Sequence, residues 1–132
     1  YTDRQMEIEK TFIEGLLIVK PKVFSDNRGY FFESYSAAKF EQLGLRTDFV
    51  QDNESCSSKG VVRGLHFQAP PFAQAKLIRV VKGSVLDIAV DIRKGSPTYG
   101  KHVSVRLDDK QKNIIMDSLN NSNKSFVLDL SV

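Results

Sequence analysis

The chain has 132 residues, enough for one domain with a real core, and an ordinary globular make-up of 41% hydrophobic and 27% charged residues. Its 19 Lys and Arg are interleaved with 16 Asp and Glu, so the net charge of +3 gathers into no basic tract of the kind that grips nucleic acid. A single cysteine excludes an internal disulfide, and no apolar run approaches the roughly 18 residues of a membrane span or reads as a signal peptide. The expectation is a cytoplasmic protein with neither a nucleic-acid nor a membrane partner.

Residues 1–5 precede the first methionine, Met6, and are read as a remnant of cleavage or expression outside the fold. The rest reads as one domain in which most segments carry a two-residue period. GLLIVKPKVF (15–24) is a β-rich run whose Pro21 suits an edge or a bend. DNRG (26–29) is a turn, and YFFESYS (30–36) alternates apolar and polar side chains. AAKFEQLG (37–44) is the one helix, about two turns, closed by Gly44.

Strands are then expected at 48–53, 61–67, 75–82, 84–92, 102–107, 112–116 and 125–131, with RKGSPTYGK (93–101) as a loop. Lys82-Gly83 predicts a tight hairpin between KLIRVV and SVLDIAV. The near-continuous run VLDIAVDI fits a strand covered on both faces. Many short strands with almost no helix predict an all-β fold, a β-sandwich or jelly roll, with a closed barrel of another type as the alternative.

The residues with chemical potential are few. Two histidines, His66 and His102, are far apart in sequence, and neither has a carboxylate cluster beside it, so a metal site is not expected. His102 reads as a solvated side chain at a loop edge, and Cys56, within DNESCSSKG, as a bystander thiol. Strict alternation places Val62, Gly64, His66 and Gln68 on one face and Arg63, Leu65 and Phe67 on the other. Arg63 and His66 then face apart unless Gly64 permits a bulge. Lys76 shares a face with Ile78, and Asp87 with Ala89 and Asp91. Gln51 and Asn53 form a polar pair suited to sugar hydroxyls or a base edge. From the residues alone, His66 stays open between a proton-transfer base near its ordinary pKa of about 6.5 and a strand histidine that caps a hydrogen-bond network.

The blocks PKVFSDNRGYFFESY (21–35), FVQDNESCSSKGVVRGLHFQ (49–68) and AKLIRVVKGSVLDIAVDIRKGSPTYGKHV (75–103) resemble the dTDP-4-dehydrorhamnose 3,5-epimerase family of cupin-like jelly rolls. The resemblance runs in order from about residue 10 to 115. It implies a dTDP-linked 4-keto-6-deoxyhexose as substrate, proton transfer at C3 and C5 of the sugar, and no metal or organic cofactor. It implies His66 of RGLH as the base, Lys76 of KLIRVV beside the keto oxygen, and Asp87 of DIAVD as a carboxylate in the pocket. Phe24 and Arg28 match residues that reach a neighbouring subunit's site to contact the nucleotide. Glu33, Gln51, Asn53, Arg63 and Gln68 match polar substrate contacts, with Arg63 on the diphosphate. A homodimer with exchanged N-terminal strands follows from the same resemblance.

Beyond about residue 115 the likeness fails. No tyrosine follows Tyr99, where the family's acid is expected, and Asp129 has nothing around it in sequence to make it the family's orienting aspartate. The expectation is therefore a C-terminally truncated and diverged member that lacks the family's last elements. Two functions stay open: an epimerase of reduced activity, and a catalytically inactive homologue that binds a nucleotide sugar or a partner protein.

Overall fold

The computed structural model describes residues 6–45, 47–66, 75–117 and 125–131, with the backbone alone at 65–66 and 125–131. Its strands are β1 (Glu7–Lys10), β2 (Leu16–Lys20), β3 (Val23–Asp26), β4 (Gly29–Phe32), β5 (Val62–His66), β6 (Lys76–Ile78), β7 (Ser84–Asp91), β8 (His102–Asp108), β9 (Ile114–Asp117) and β10 (Ser125–Ser131). Among the described residues there is one helix, α1, from Ala37 to Gln42. Two four-stranded antiparallel sheets form, ordered β1-β2-β9-β6 and β5-β10-β7-β8, while β3 and β4 make a two-stranded sheet of their own.

The first sheet is packed on both faces along β2, β9 and β6, while its edge strand β1 is mostly exposed. One face packs Leu16, Ile78 and Ile115 against Ala89, Val103, Val105 and Leu107 of the second sheet, with Ile13 joining them. The other face packs Leu17, Val19, Ile114, Met116 and Leu77 against Met6, Phe40, Leu43, Leu45 and Phe49. Strand β9 is accordingly buried at all four positions. Phe40 anchors α1 in this second layer, with Tyr35 edge-on to its ring at a 4.8 Å centroid separation. Ser36 caps the helix, its Oγ accepting from the Lys39 N–H at 3.3 Å, and Gly44 ends it at φ 74°.

Several expectations are corrected. Lys82-Gly83 does not close a hairpin: β6 pairs with β9 in one sheet, and β7 with β10 and β8 in the other. The turn is instead a crossing between layers, held where the Gly83 N–H donates to the Asp109 carboxylate at 2.8 Å. Residues 48–53 form no strand, because their alternation meets no sheet edge to pair with. Pro21 splits the run 15–24 into β2 and β3. The unexpected strand is β1, which pairs Ile8 with Val19. Strand β7 buries Asp87, Ala89 and Asp91 on the inter-sheet face and leaves its other face half-exposed, so it is not covered equally on both sides.

Candidate functional site between the two sheets

Three of the singled-out residues come from strands that line the space between the sheets. Asp87 lies on β7 with Ala89 and Asp91, on the buried inward face, as its alternation requires. Lys76 begins β6 opposite Asp117, in the row that also holds Leu16. Two positions along, Ile78 stands opposite Ile115 in the inter-sheet core, so Lys76 and Asp117 share that inward face. Lys76 is half-buried and Asp117 buried.

Strand β5 supplies position 66 through a bulge. His66 pairs with Val127 and Arg63 with Asp129, so three steps on β5 match two on β10. Gly64 carries the extra residue at φ 127°, a backbone setting that a Cβ disfavours. Val127 in turn pairs with Ala89, and Asp129 with Asp87. Residues 63 and 66 therefore occupy rows on one face of the sheet, that of Asp87 and Ala89. Strict alternation through β5, which sets Arg63 and His66 on opposite faces, is thereby corrected: the bulge at Gly64 brings both positions to one face.

At the sheet's edge the Arg63 guanidinium is exposed, its Nε donating to Ser57 Oγ at 3.0 Å. Gln51 and Asn53 are exposed on the irregular segment after α1, the Gln51 amide donating to Asn53 Oδ1 at 3.3 Å. Glu33 is taken up by Lys39, 2.8 Å away, in a half-exposed ion pair at the start of the helix. Gln68 lies outside the described residues.

Phe24 and Arg28 sit together on the β3–β4 hairpin. Register puts Phe24 opposite Phe31 on one face, and Ser25 and Val23 opposite Tyr30 and Phe32 on the other. Phe24 and Phe31 are 44% and 71% exposed, an uncommon outlay of aromatic surface on so small a hairpin. At the tip, Arg28 is held by its neighbour: its backbone N–H and its Nε donate to Asp26, and its NH2 nitrogen reaches the same carboxylate at 2.6 Å. The Arg28 guanidinium draws the exposed Asp26 carboxyl below the usual range, and Arg28 is raised in return.

One polar cluster was missed by the sequence reading. The buried Asp91 carboxylate accepts from Arg93 Nε and NH2 at 3.0 Å each, and from the Ser96 and Thr98 hydroxyls at 2.6 Å each. Burial alone would push this carboxyl up, but the four side-chain donors and the Arg93 N–H outweigh it and hold Asp91 far below the usual carboxylate range. Arg93 is held charged first by Asp91 and further by Glu14 and Asp117. The knot braces the 93–101 loop against the same end of the sandwich that carries Asp117. Its signal in sequence is the Asp-x-Arg-x-x-Ser-x-Thr spacing, which closes a loop on a strand's last residue. His102 is exposed on β8, as expected, and Cys56 is exposed.

An antiparallel two-sheet sandwich with Lys76, Asp117 and Asp87 on its inward faces defines the class, and comparison with known proteins places the chain within it. The family model of dTDP-4-dehydrorhamnose 3,5-epimerase matches residues 10–117. The dTDP-4-dehydrorhamnose 3,5-epimerase of Shigella flexneri is 55% identical over 108 residues, covering 81% of this chain and 60% of that protein. In structure, the dTDP-6-deoxy-D-glucose-3,5-epimerase of Legionella pneumophila, solved with dTDP-4-keto-L-rhamnose, superposes with a TM-score of 0.87 at 42% identity, covering 97% of this chain and 66% of that one. The Bacillus anthracis dTDP-4-dehydrorhamnose 3,5-epimerase, solved with TDP and PPi, gives 0.88 at 34% identity, covering 96% and 71%.

The chain belongs to the dTDP-4-dehydrorhamnose 3,5-epimerase family, and its fold is the family's cupin-like jelly roll. It spans about 60% of the length of the Shigella relative. Among the described residues, no helix is long and apolar enough to cross a membrane.

Proposed function

We propose that the chain carries the proton-abstracting part of a sugar 3,5-epimerase site for a dTDP-linked 4-keto-6-deoxyhexose, working without metal or organic cofactor. The 4-keto group acidifies the C–H bonds at C3 and C5. His66 takes a proton from one face, the C–H electron pair moves into the ring bond, and the keto oxygen becomes an enolate oxygen. Lys76, on the inward face of β6, holds that developing charge with its ammonium. Asp87, buried one strand beyond β10, favours the imidazolium that forms. Return of a proton to the opposite face of the same carbon completes inversion.

Arg63, Gln51, Asn53, Glu33 and Gln68 would contact the sugar and diphosphate, with Arg63 at the sheet edge where a charged ligand enters. Phe24 and Arg28 would hold the nucleotide from a second copy of the chain, in a homodimer with exchanged N-terminal strands. The exposed Phe24 and Phe31 on a hairpin that is a separate sheet support that arrangement. The bound dTDP-4-keto-L-rhamnose of the Legionella relative supports the ligand class.

The observation that carries the reading is the bulge at Gly64, which sets positions 63 and 66 on the face of Asp87. The test is incubation with the 4-keto nucleotide sugar in deuterated water, with C3 and C5 followed by NMR. Label uptake at either carbon, abolished in His66→Asn, is expected. Ligand binding with no label at either carbon would leave an inactive nucleotide-sugar-binding homologue in its place.

A further inference from the structure

Among the described residues the β3–β4 hairpin pairs as a strand with neither large sheet, so something other than strand pairing sets where its tip lies. Lys112, on the loop between β8 and β9, is buried and sits in the left-handed backbone region at φ 58°, among the described residues the one non-glycine to do so. A residue with a Cβ is disfavoured there, and neither Gly nor Asn takes the position. The strain has a visible return. It carries the Lys112 ammonium to 3.8 Å from the Tyr30 ring centroid and 5.5 Å from that of Phe32, while Nζ also donates to the Asp109 carbonyl. Arg79 adds a second cation 5.9 Å from the Phe32 ring.

Tyr30 and Phe32 occupy one face of the hairpin, where Phe32 is half-buried and Tyr30 still exposes 60% of its surface beyond the Lys112 contact; Phe24 and Phe31 occupy the other. We infer that Lys112 is a positioning residue: its ammonium docks the Tyr30/Phe32 face of the hairpin onto the body of the domain and so presents Phe24, Phe31 and Arg28 outward for the nucleotide. An ammonium over aromatic faces suits this task, because the ring faces attract it electrostatically. The docking stands on the geometry alone; the presentation to nucleotide rests on the function proposed above.

The experiment has two arms. In the first, amide hydrogen exchange is followed at residues 23–32 and, as a control on the fold, at 84–91. Lys112→Gly suits the left-handed backbone, so it removes the ammonium and the strain together. It is expected to speed exchange in the hairpin about five- to tenfold with β7 unchanged, and Lys112→Arg to restore protection. Tyr30→Leu removes the contact from the other side and should reproduce the effect. Unchanged hairpin exchange in both Lys112→Gly and Tyr30→Leu overturns the inference.

In the second arm, dTDP is titrated calorimetrically. Lys112→Gly and Arg28→Ala are each expected to weaken binding about five- to tenfold, with Lys112→Arg near wild type. Weakening in Arg28→Ala without weakening in Lys112→Gly overturns the positioning role and leaves the nucleotide reading standing. Binding that ignores both substitutions overturns the nucleotide contact and, with it, the presentation, whatever the exchange shows.

Discussion

Arg63 and His66 lie on the same face of β5, although three residues of strict alternation would set them on opposite faces. The extra residue is absorbed at Gly64, and its effect is to align both positions with the buried row that contains Asp87. A β-bulge re-aims side chains without a change of fold.

Gly64→Val tests that device. A β-branched side chain at φ 127° is strained by about 2 kcal/mol, and the cheapest relief is to lose the bulge and slip the register. Thermal melting should show a lower Tm, and deuterium uptake at the sugar carbons should fall well beyond what the Tm change explains at a temperature where the variant is folded.

The Asp91 knot should be a main source of loop order. Arg93→Met leaves a buried carboxylate with only hydroxyl and backbone donors, and is expected to cost about 3 kcal/mol by denaturant unfolding. Ser96→Ala removes one neutral donor to a charged acceptor and should cost about 1.5 kcal/mol.

The same carboxylate sets an acid limb. Its folded pKa is depressed, so the unfolded chain binds the proton first, at about pH 3.9, and the stabilisation is complete above that value. It is lost progressively as pH falls below it. Asp26 and Asp108 are shifted in the same direction, on the exposed surface. Asp91→Asn should therefore lower Tm at pH 7 while flattening the fall in Tm between pH 5 and pH 3 (both values about the carboxylate range), as measured by thermal melts across that range.

Phe40 is the side chain that fixes α1 to the outer face of the first sheet. It is fully buried against Val19, Ile114 and Met116, with Tyr35 edge-on. Phe40→Ala should cost about 4 kcal/mol by chemical denaturation. The inter-sheet row is carried by the other core layer, so ligand affinity measured on the remaining folded fraction should change little.

Much of this was legible in the sequence because period-2 alternation is a local signal. The faces of Lys76 and Ile78, and of Asp87, Ala89 and Asp91, follow from it directly. Gly64 left a bulge open, but whether it forms is settled only by the pairing of β5 with β10, so alternation alone misplaced Arg63 against His66. Where pairing is non-local, the signal ran out. Lys82-Gly83 has hairpin chemistry, yet β6 finds its partner in β9, beyond β8, and the turn crosses between layers. Strand β1 reads Glu-Ile-Glu-Lys, with one apolar residue to mark it, and exists because β2 offers an edge. FVQDNES alternates equally well and has no edge to join. Lys112 could not have been found, since nothing in DDKQKN marks a left-handed residue, and its meaning lies in rings eighty positions earlier in the chain (about that separation, Tyr30 to Lys112).

The two histidines offer the most direct test, since one is the proposed base and the other, His102, is an exposed residue on β8. Their imidazole resonances would be followed by NMR as the 4-keto nucleotide sugar is added. The account predicts a saturable shift and an altered pKa at His66, with His102 unmoved. A bound ligand that leaves the His66 ring unshifted would contradict it.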